Sequence, residues 1–479
     1  MKNAGVLCPI SSLPGRNGIG DFGQSAYQFI DKLAAARVKI WQILPLNPLA
    51  YGNSPYQPYS SFAGDEIYIS LHNLVEEGLL KSEEVEAFNQ DTTRVAYEEV
   101  RAYKNELFRK AFARFEVTDE FKEFEATHDW LEGYVMYRVF KNHNGGLDWT
   151  HWEKDYKEYP QKQAFPHTLF DVEMLYQKFL QFYFFKQWLA IKEYANERDI
   201  MIIGDMPIYV GLDSADVWLN QESFLLEEDG SPSFVAGVPP DYFAKYGQRW
   251  GNPIYDWDYL KEHDFEFWTK RLGSALDLYN VLRIDHFRGF DTYWKIPASE
   301  PTAVIGEWVE APGYDLFDTF FKKYPDANIL AEDLGELREE VYELRDHYGF
   351  KGMFIYQFHH MDKKFDLSKV IVYTGTHDND TLASWLTTID DKEMAIIEKE
   401  TKDYNEKLLY RKVIHYCLDT KADTVIVPAW DLMGLPTECR FNTPGTIGEP
   451  NWMWRMSDFS QFDAAMDYFA ELISATGRD

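Results

Sequence analysis

The chain has 479 residues, 45% hydrophobic and 17% aromatic, which suffices for a large core and argues against disorder. A formal net charge of -31 disfavours a nucleic-acid surface, which needs basic patches, and an anionic membrane as partner. Cys8, Cys417 and Cys439 make no disulfide framework and have no metal-ligand spacing, no stretch approaches twenty apolar residues, and the N-terminal residues lack a signal-peptide core. These features predict a cytoplasmic protein, with Cys8 buried in its apolar run.

Short β-branched runs ending at polar, Gly or Pro residues read as buried parallel strands. Eight occur, at residues 4–9, 39–45, 200–206, 281–286, 328–333, 352–358, 370–376 and 423–428. Helical patterns follow most of them, with amphipathic examples at 24–36 and 336–347. Eight strands with helical crossovers predict an α/β fold, a (β/α)8 TIM barrel forming one catalytic unit over residues 1–479. The spacing is uneven. Residues 49–197 form a mainly helical insertion between strands two and three, with helical sequence at 81–88, 91–112 and 173–194. Residues 209–280 form a second insertion, between strands three and four, with Pro- and Gly-containing loops. Insertions in βα connections sit at the catalytic face of a barrel. There is no internal repeat or low-complexity tract.

Three predicted strands end on ionisable residues: Val281-Leu282-Arg283-Ile284-Asp285-His286, Ile329-Leu330-Ala331-Glu332-Asp333, and Ile371-Val372-Tyr373-Thr374-Gly375-Thr376-His377-Asp378. Each offers a carboxylate and little else nucleophilic, which points to glycosidic bonds. Arg283 and Asp285 are two apart and share a strand face, so Arg283 is expected to lower the pKa of Asp285 and keep it ionised, as a sugar nucleophile must be. A buried structural ion pair is the alternative. Glu332, close to Asp285 and shielded from water, would stay protonated as a general acid. A retaining enzyme needs its two carboxyl groups about 5–5.5 Å apart, and neighbouring strands lie about 4.8 Å apart. Asp333 alternates away, as a support or as a cap for the helix starting near Glu336. Asp378 could stabilise an oxocarbenium-like state or hold hydroxyls and His377 could donate to one; a hydrogen-bonded turn explains both equally. Asp380 reads as a helix N-cap. Asp205, in Gly204-Asp205-Met206-Pro207, would touch substrate, orient Arg283 or anchor a turn.

With Gly52-Asn53-Ser54-Pro55-Tyr56-Gln57, Gly247-Gln248-Arg249-Trp250-Gly251-Asn252-Pro253, Asn442-Thr443-Pro444-Gly445-Thr446 and Asn451-Trp452-Met453-Trp454-Arg455 in this order, nearly the whole chain resembles the amylomaltases, the 4-α-glucanotransferases of glycoside hydrolase family 77. The resemblance implies Asp285 as nucleophile, Glu332 as general acid/base and Asp378 as transition-state stabiliser. It implies Tyr56, Asp205, Arg283 and His377 beside the donor sugar. It also implies that Trp250 and the loop of residues 237–242 overhang the cleft and shape the acceptor side. The implied substrates are α-1,4-glucans with glucose as acceptor, without metal or cofactor. Competing expectations are a hydrolase on the same scaffold, a glucan-binding protein, or a metal enzyme using Asp205, His286, His377 and Glu332, for which no local metal-binding spacing exists. Sequence leaves oligomeric state open.

Overall fold

The structure is a computed structural model that describes residues 2–478 except 86–87, 89–92, 164–165, 241–243 and 363–364. Its strands are β1 (Asn3–Leu7), β2 (Ile40–Gln42), β3 (Met201–Pro207), β4 (Phe234–Val238), β5 (Gln248–Pro253), β6 (Val281–Asp285), β7 (Thr292–Pro297), β8 (Glu307–Glu310), β9 (Ile329–Ala331), β10 (Gly352–Ile355), β11 (Val370–Tyr373) and β12 (Thr424–Pro428). Eight of them pair in parallel in the order β10-β11-β12-β1-β2-β3-β6-β9. The end strands meet where Leu330 bridges Lys351 and the Ala331 N–H donates to the Lys351 carbonyl at 2.9 Å, joining the ring. All eight strands read from the sequence are the barrel strands. They are short, and their Val, Ile and Leu side chains are buried because helices cover the outside of the ring.

Residue alternation decides what faces the ring interior. Asp205 on β3 pairs with Arg283 on β6, and Pro207 with Asp285. On the other side of β6, Ile284 pairs with Ala331 on β9, so Asp285 and Glu332 are the next residues along two hydrogen-bonded strands. Behind this wall β3 is packed so closely that a Cβ on Gly204 would lie 2.1 Å from the Tyr279 ring.

The connection between β2 and β3 carries the helices Tyr97–Phe112, Leu131–His143 and Asp171–Asn196. The last buries two amides that satisfy loop backbone: Gln181 pairs with the N–H and carbonyl of Gly64, and Gln187 with those of Ser70. The helix expected over 91–112 begins only at Tyr97, because Arg94 pairs as an isolated bridge with Trp454 and the Val95 N–H donates to the Met453 carbonyl at 2.7 Å; residues 91–92 lie outside the described residues. In the stretch expected to be helical at 81–88, the described helical residues are the single 3-10 turn Ser82–Glu84.

A second sheet was not legible. β4, β5, β7 and β8 form a four-stranded antiparallel sheet in the order β5-β4-β7-β8. It joins residues on both sides of β6, with Gly237 opposite Trp294 and Trp294 opposite Trp308. Residues 209–280 are therefore not only loop: they hold half of this sheet and the helix Glu266–Leu278.

Candidate active site

At the C-terminal ends of the barrel strands lies a cleft of about 530 Å³. Tyr56, Tyr209, Trp250, Asp285, His377 and Asp378 are among its walls. Arg283 sits beneath it, with its side chain 4% exposed, and donates through Nη1 to both oxygens of Asp205 at 2.7 Å and through Nη2 to Asp285 Oδ1 at 3.1 Å. Asp205 is fully buried, so this planar fork holds a carboxylate that would otherwise be costly to bury. Of the three readings the sequence allowed for Asp205, contact with substrate, contact with Arg283 or a turn anchor, the contact seen is that with Arg283.

Asp205 also fixes a proton arrangement. The Tyr56 hydroxyl donates to Asp205 Oδ2 at 2.7 Å and lies 3.0 Å from His377 Nε2. Its one proton being used, the hydroxyl accepts from His377, which places the imidazole proton on Nε2. Burial lowers the pKa of His377 and favours this neutral form, against the Asp378 charge, whose Oδ1 is 3.5 Å from Nε2. The Tyr56 and His377 rings stack at 5.3 Å, with the Trp452 ring 5.8 Å from Tyr56.

Glu332 is held by two backbone donors, His286 N–H to Oε2 at 2.6 Å and Leu334 N–H to Oε1 at 3.1 Å. The first comes from His286, which directly follows β6 and adopts a left-handed conformation with φ 53°, uncommon outside glycine, where the chain turns away from the strand. The His286 ring meets Trp250 edge-on at 4.9 Å, and burial lowers its pKa to about 4.

The charge balance corrects one sequence expectation. Arg283 does act to lower the Asp285 pKa, but burial outweighs it and the Glu332, Asp205 and Asp378 charges add to the rise, so the net shift is upward. Glu332 is also raised, first by burial, against Arg283 and its two N–H donors. One guanidinium faces three carboxylates, Asp205, Asp285 and Glu332, and the Asp285–Glu332 pair holds a proton above the usual carboxylate range. Within the pair, Asp285 has the direct contact with Arg283 at 3.1 Å, whereas Glu332 has the two backbone donors.

Asp378, with its side chain 42% exposed, faces the same cleft. Its carboxylate accepts from Asn442 Nδ2 at 2.6 Å and its carbonyl from Arg440 Nη2 at 2.7 Å. Neither partner was assigned a role from sequence, and no local spacing could reveal a contact across more than sixty residues. Trp250 lies at the rim, its Nε1 donating to Gln248 Oε1 at 3.1 Å. Of the expected overhang, residues 237–240 are described; 241–243, including Tyr242 and Phe243, lie outside the described residues.

Two neighbouring acids do other work. Asp333 faces away from the cleft, binding Arg345 Nη1 at 2.5 Å and the Met353 N–H at 2.8 Å, so it ties β9 to β10 and to the helix Glu339–His347 rather than capping that helix. Asp380 is not the expected cap either; Thr381 occupies that position and its Oγ1 accepts from Ser384 N–H at 3.4 Å.

Comparison with known proteins is consistent throughout. The family model described as 4-alpha-glucanotransferase, glycoside hydrolase family 77, matches residues 8–461. The chain belongs to this family. It is 41% identical to the 4-alpha-glucanotransferase of Streptococcus pneumoniae over 95% of this chain and 94% of that protein. The enzyme of the same name from Thermus thermophilus is also 41% identical, over 94% of each chain. The amylomaltase of Streptococcus agalactiae, solved in complex with acarbose, superposes with a TM-score of 0.95 at 36% identity over the full length of both chains. The amylomaltase of Corynebacterium glutamicum, 18% identical, shares the fold with a TM-score of 0.80, covering 100% of this chain and 75% of that one. The enzyme is thus a 4-α-glucanotransferase on an α/β barrel. Among the described residues of this family 77 enzyme, no helix is long and apolar enough to cross a membrane, and no group of three or more His, Cys, Asp or Glu side chains could hold a metal ion.

Proposed function

We propose that this 4-α-glucanotransferase moves a segment of an α-1,4-glucan to the 4-hydroxyl of another glucan or of glucose by retaining double displacement. The observation that carries the reading is the placement of Asp285 and Glu332 at adjacent positions on paired strand ends, with Asp378 on the same cleft. Asp285 attacks the anomeric carbon while Glu332 protonates the leaving oxygen, giving a β-glucosyl ester on Asp285. The freed chain leaves, Glu332 takes the proton from the acceptor 4-hydroxyl, and that oxygen displaces Asp285. Two inversions give net retention. Asp378 stabilises the positive charge that develops at the anomeric centre, while Tyr56, Asp205, Arg283 and His377 line the donor sugar. Trp250 shapes the acceptor side, where exclusion of water favours a sugar hydroxyl as second nucleophile.

The test is incubation with maltotriose, without added metal or cofactor, resolving products by chain length beside Asp285→Asn. Glucose plus longer maltooligosaccharides, lost in the variant, is the expected result. Glucose and maltose alone would make the enzyme a hydrolase, and an active Asp285→Asn would remove Asp285 from the reaction.

A further inference from the structure

A second cavity, about 270 Å³, opens between the two insertions, away from the catalytic carboxylates. Its walls carry the rings of Phe62, Trp130 and Tyr259, with Phe62 and Trp130 stacked at 6.5 Å. Its rim is charged in both senses: Lys270 pairs with Asp129 at 3.2 Å and with Glu266 at 3.0 Å. His263 lies flat on Tyr259 at 3.9 Å.

The lining also holds two buried residues with unused hydrogen-bonding atoms. Asp216 is 2% exposed; its Oδ2 accepts from Ser61 N–H at 2.8 Å, while its Oδ1 has no partner. Tyr134 is 1% exposed and its hydroxyl has no partner either. Native interiors seldom leave such atoms unpaired, because each costs the full desolvation of a polar group. Burial also raises the Asp216 pKa to about 6. The catalytic reaction as read above uses none of these groups.

Apolar ring faces with a few convergent polar atoms are the chemistry of a small-molecule site. Opposite charges at the rim favour neither an anion nor a cation, and an ammonium between two carboxylates suits a ligand that both donates and accepts. The volume is about half that of the catalytic cleft, so it suits a single ring rather than a chain. We propose that this cavity binds one neutral pyranose ring, stacked on Trp130 and Tyr259 with hydroxyls turned toward the rim side chains of Asp129, Glu266 and Lys270. The choice of glucose as that sugar rests on the proposed function; the polyol chemistry does not. The ring could come from free glucose or from the end of a glucan.

The experiment uses the full chain carrying Asp285→Asn, so that binding is read without turnover and independently of whether transfer occurs. Calorimetric titrations with glucose and with maltotriose, and crystals soaked in each, are compared with the same protein carrying Trp130→Ala or, separately, Tyr259→Ala. The expected result is a sugar ring in the cavity and a binding event weakened at least tenfold by either change, with binding in the catalytic cleft unaffected. Occupancy by glucose identifies a free-sugar site, and occupancy by maltotriose alone a chain-end site; both support the proposal. A cavity that stays empty when the catalytic cleft is full would overturn it. So would identical titrations for all variants, or filling by glucose 1-phosphate but not glucose.

Discussion

Arg283→Met is the most informative single change, because Arg283 pairs with both Asp205 and Asp285 and also acts on Glu332. Its side chain is 4% exposed and Asp205 is fully buried, so solvent cannot replace the lost contacts. Removing one partner of a buried ion pair costs about 3–5 kcal/mol. The Tyr56 hydroxyl still donates to Asp205, which sets the expectation at about 3 kcal/mol, the lower end of that range. Asp285 simultaneously loses the contact that favours its ionised form, and a charged hydrogen bond of about 1.5–3 kcal/mol corresponds to roughly 10- to 150-fold in transfer rate. Urea unfolding and maltotriose kinetics should be run on Arg283→Met and on Arg283→Met with Asp205→Asn. The double variant should regain at least about 1 kcal/mol of stability, since the stranded charge is gone, while transfer stays low. Wild-type stability in the single variant, or activity returning together with stability in the double, would refute the charge balance described here.

Other expectations follow from single contacts. Asn442→Ala removes the 2.6 Å donor to Asp378, a carboxylate water can partly reach, so kcat should fall about tenfold with KM little changed; an unaltered kcat would separate Asp378 positioning from catalysis. Asp333→Ala breaks the buried pair with Arg345, but Arg345 keeps its bonds to Asp346, so the loss should be about 3 kcal/mol, the lower end for a broken buried pair, with kcat of the folded enzyme within about twofold; a large kcat loss would place Asp333 in the site. Asp431 is buried and its pKa is raised to about 7 by desolvation, against the Leu382 N–H and Thr374 hydroxyl donors. The folded state therefore binds the extra proton, and its stabilising contribution, complete at acid pH, is lost as pH rises through about 7. Thermal melts of Asp431→Asn against wild type should show the variant gaining between pH 5 and pH 8; a pH-independent difference would contradict this.

What was legible in the sequence was local. Val, Ile and Leu runs mark the barrel strands because those strands are covered on one side by helices and filled on the other, and strand-end acids follow from the same pattern. The antiparallel sheet escaped notice because its strands carry Gly, Pro and exposed acids: Glu307–Glu310 is largely exposed and β4 pairs with β7, across the whole of β6. The grip of Asn442 and Arg440 on Asp378, and of the left-handed His286 on Glu332, depends on chain reversals that no residue spacing encodes. The direction of the Asp285 shift was misjudged because the neighbouring Arg was visible in the sequence, while the depth of burial that outweighs it is set by the fold.

Under the proposed mechanism Asp285 forms the bond to the sugar. Glu332→Gln treated with α-maltosyl fluoride, whose leaving group needs no acid, should accumulate the intermediate, because the variant lacks the base that activates the acceptor. Peptide mass spectrometry after acid quenching should then find a maltosyl group on the peptide containing Asp285. An adduct on another residue, or no adduct while fluoride is released at a catalysed rate, would exclude Asp285 as the nucleophile.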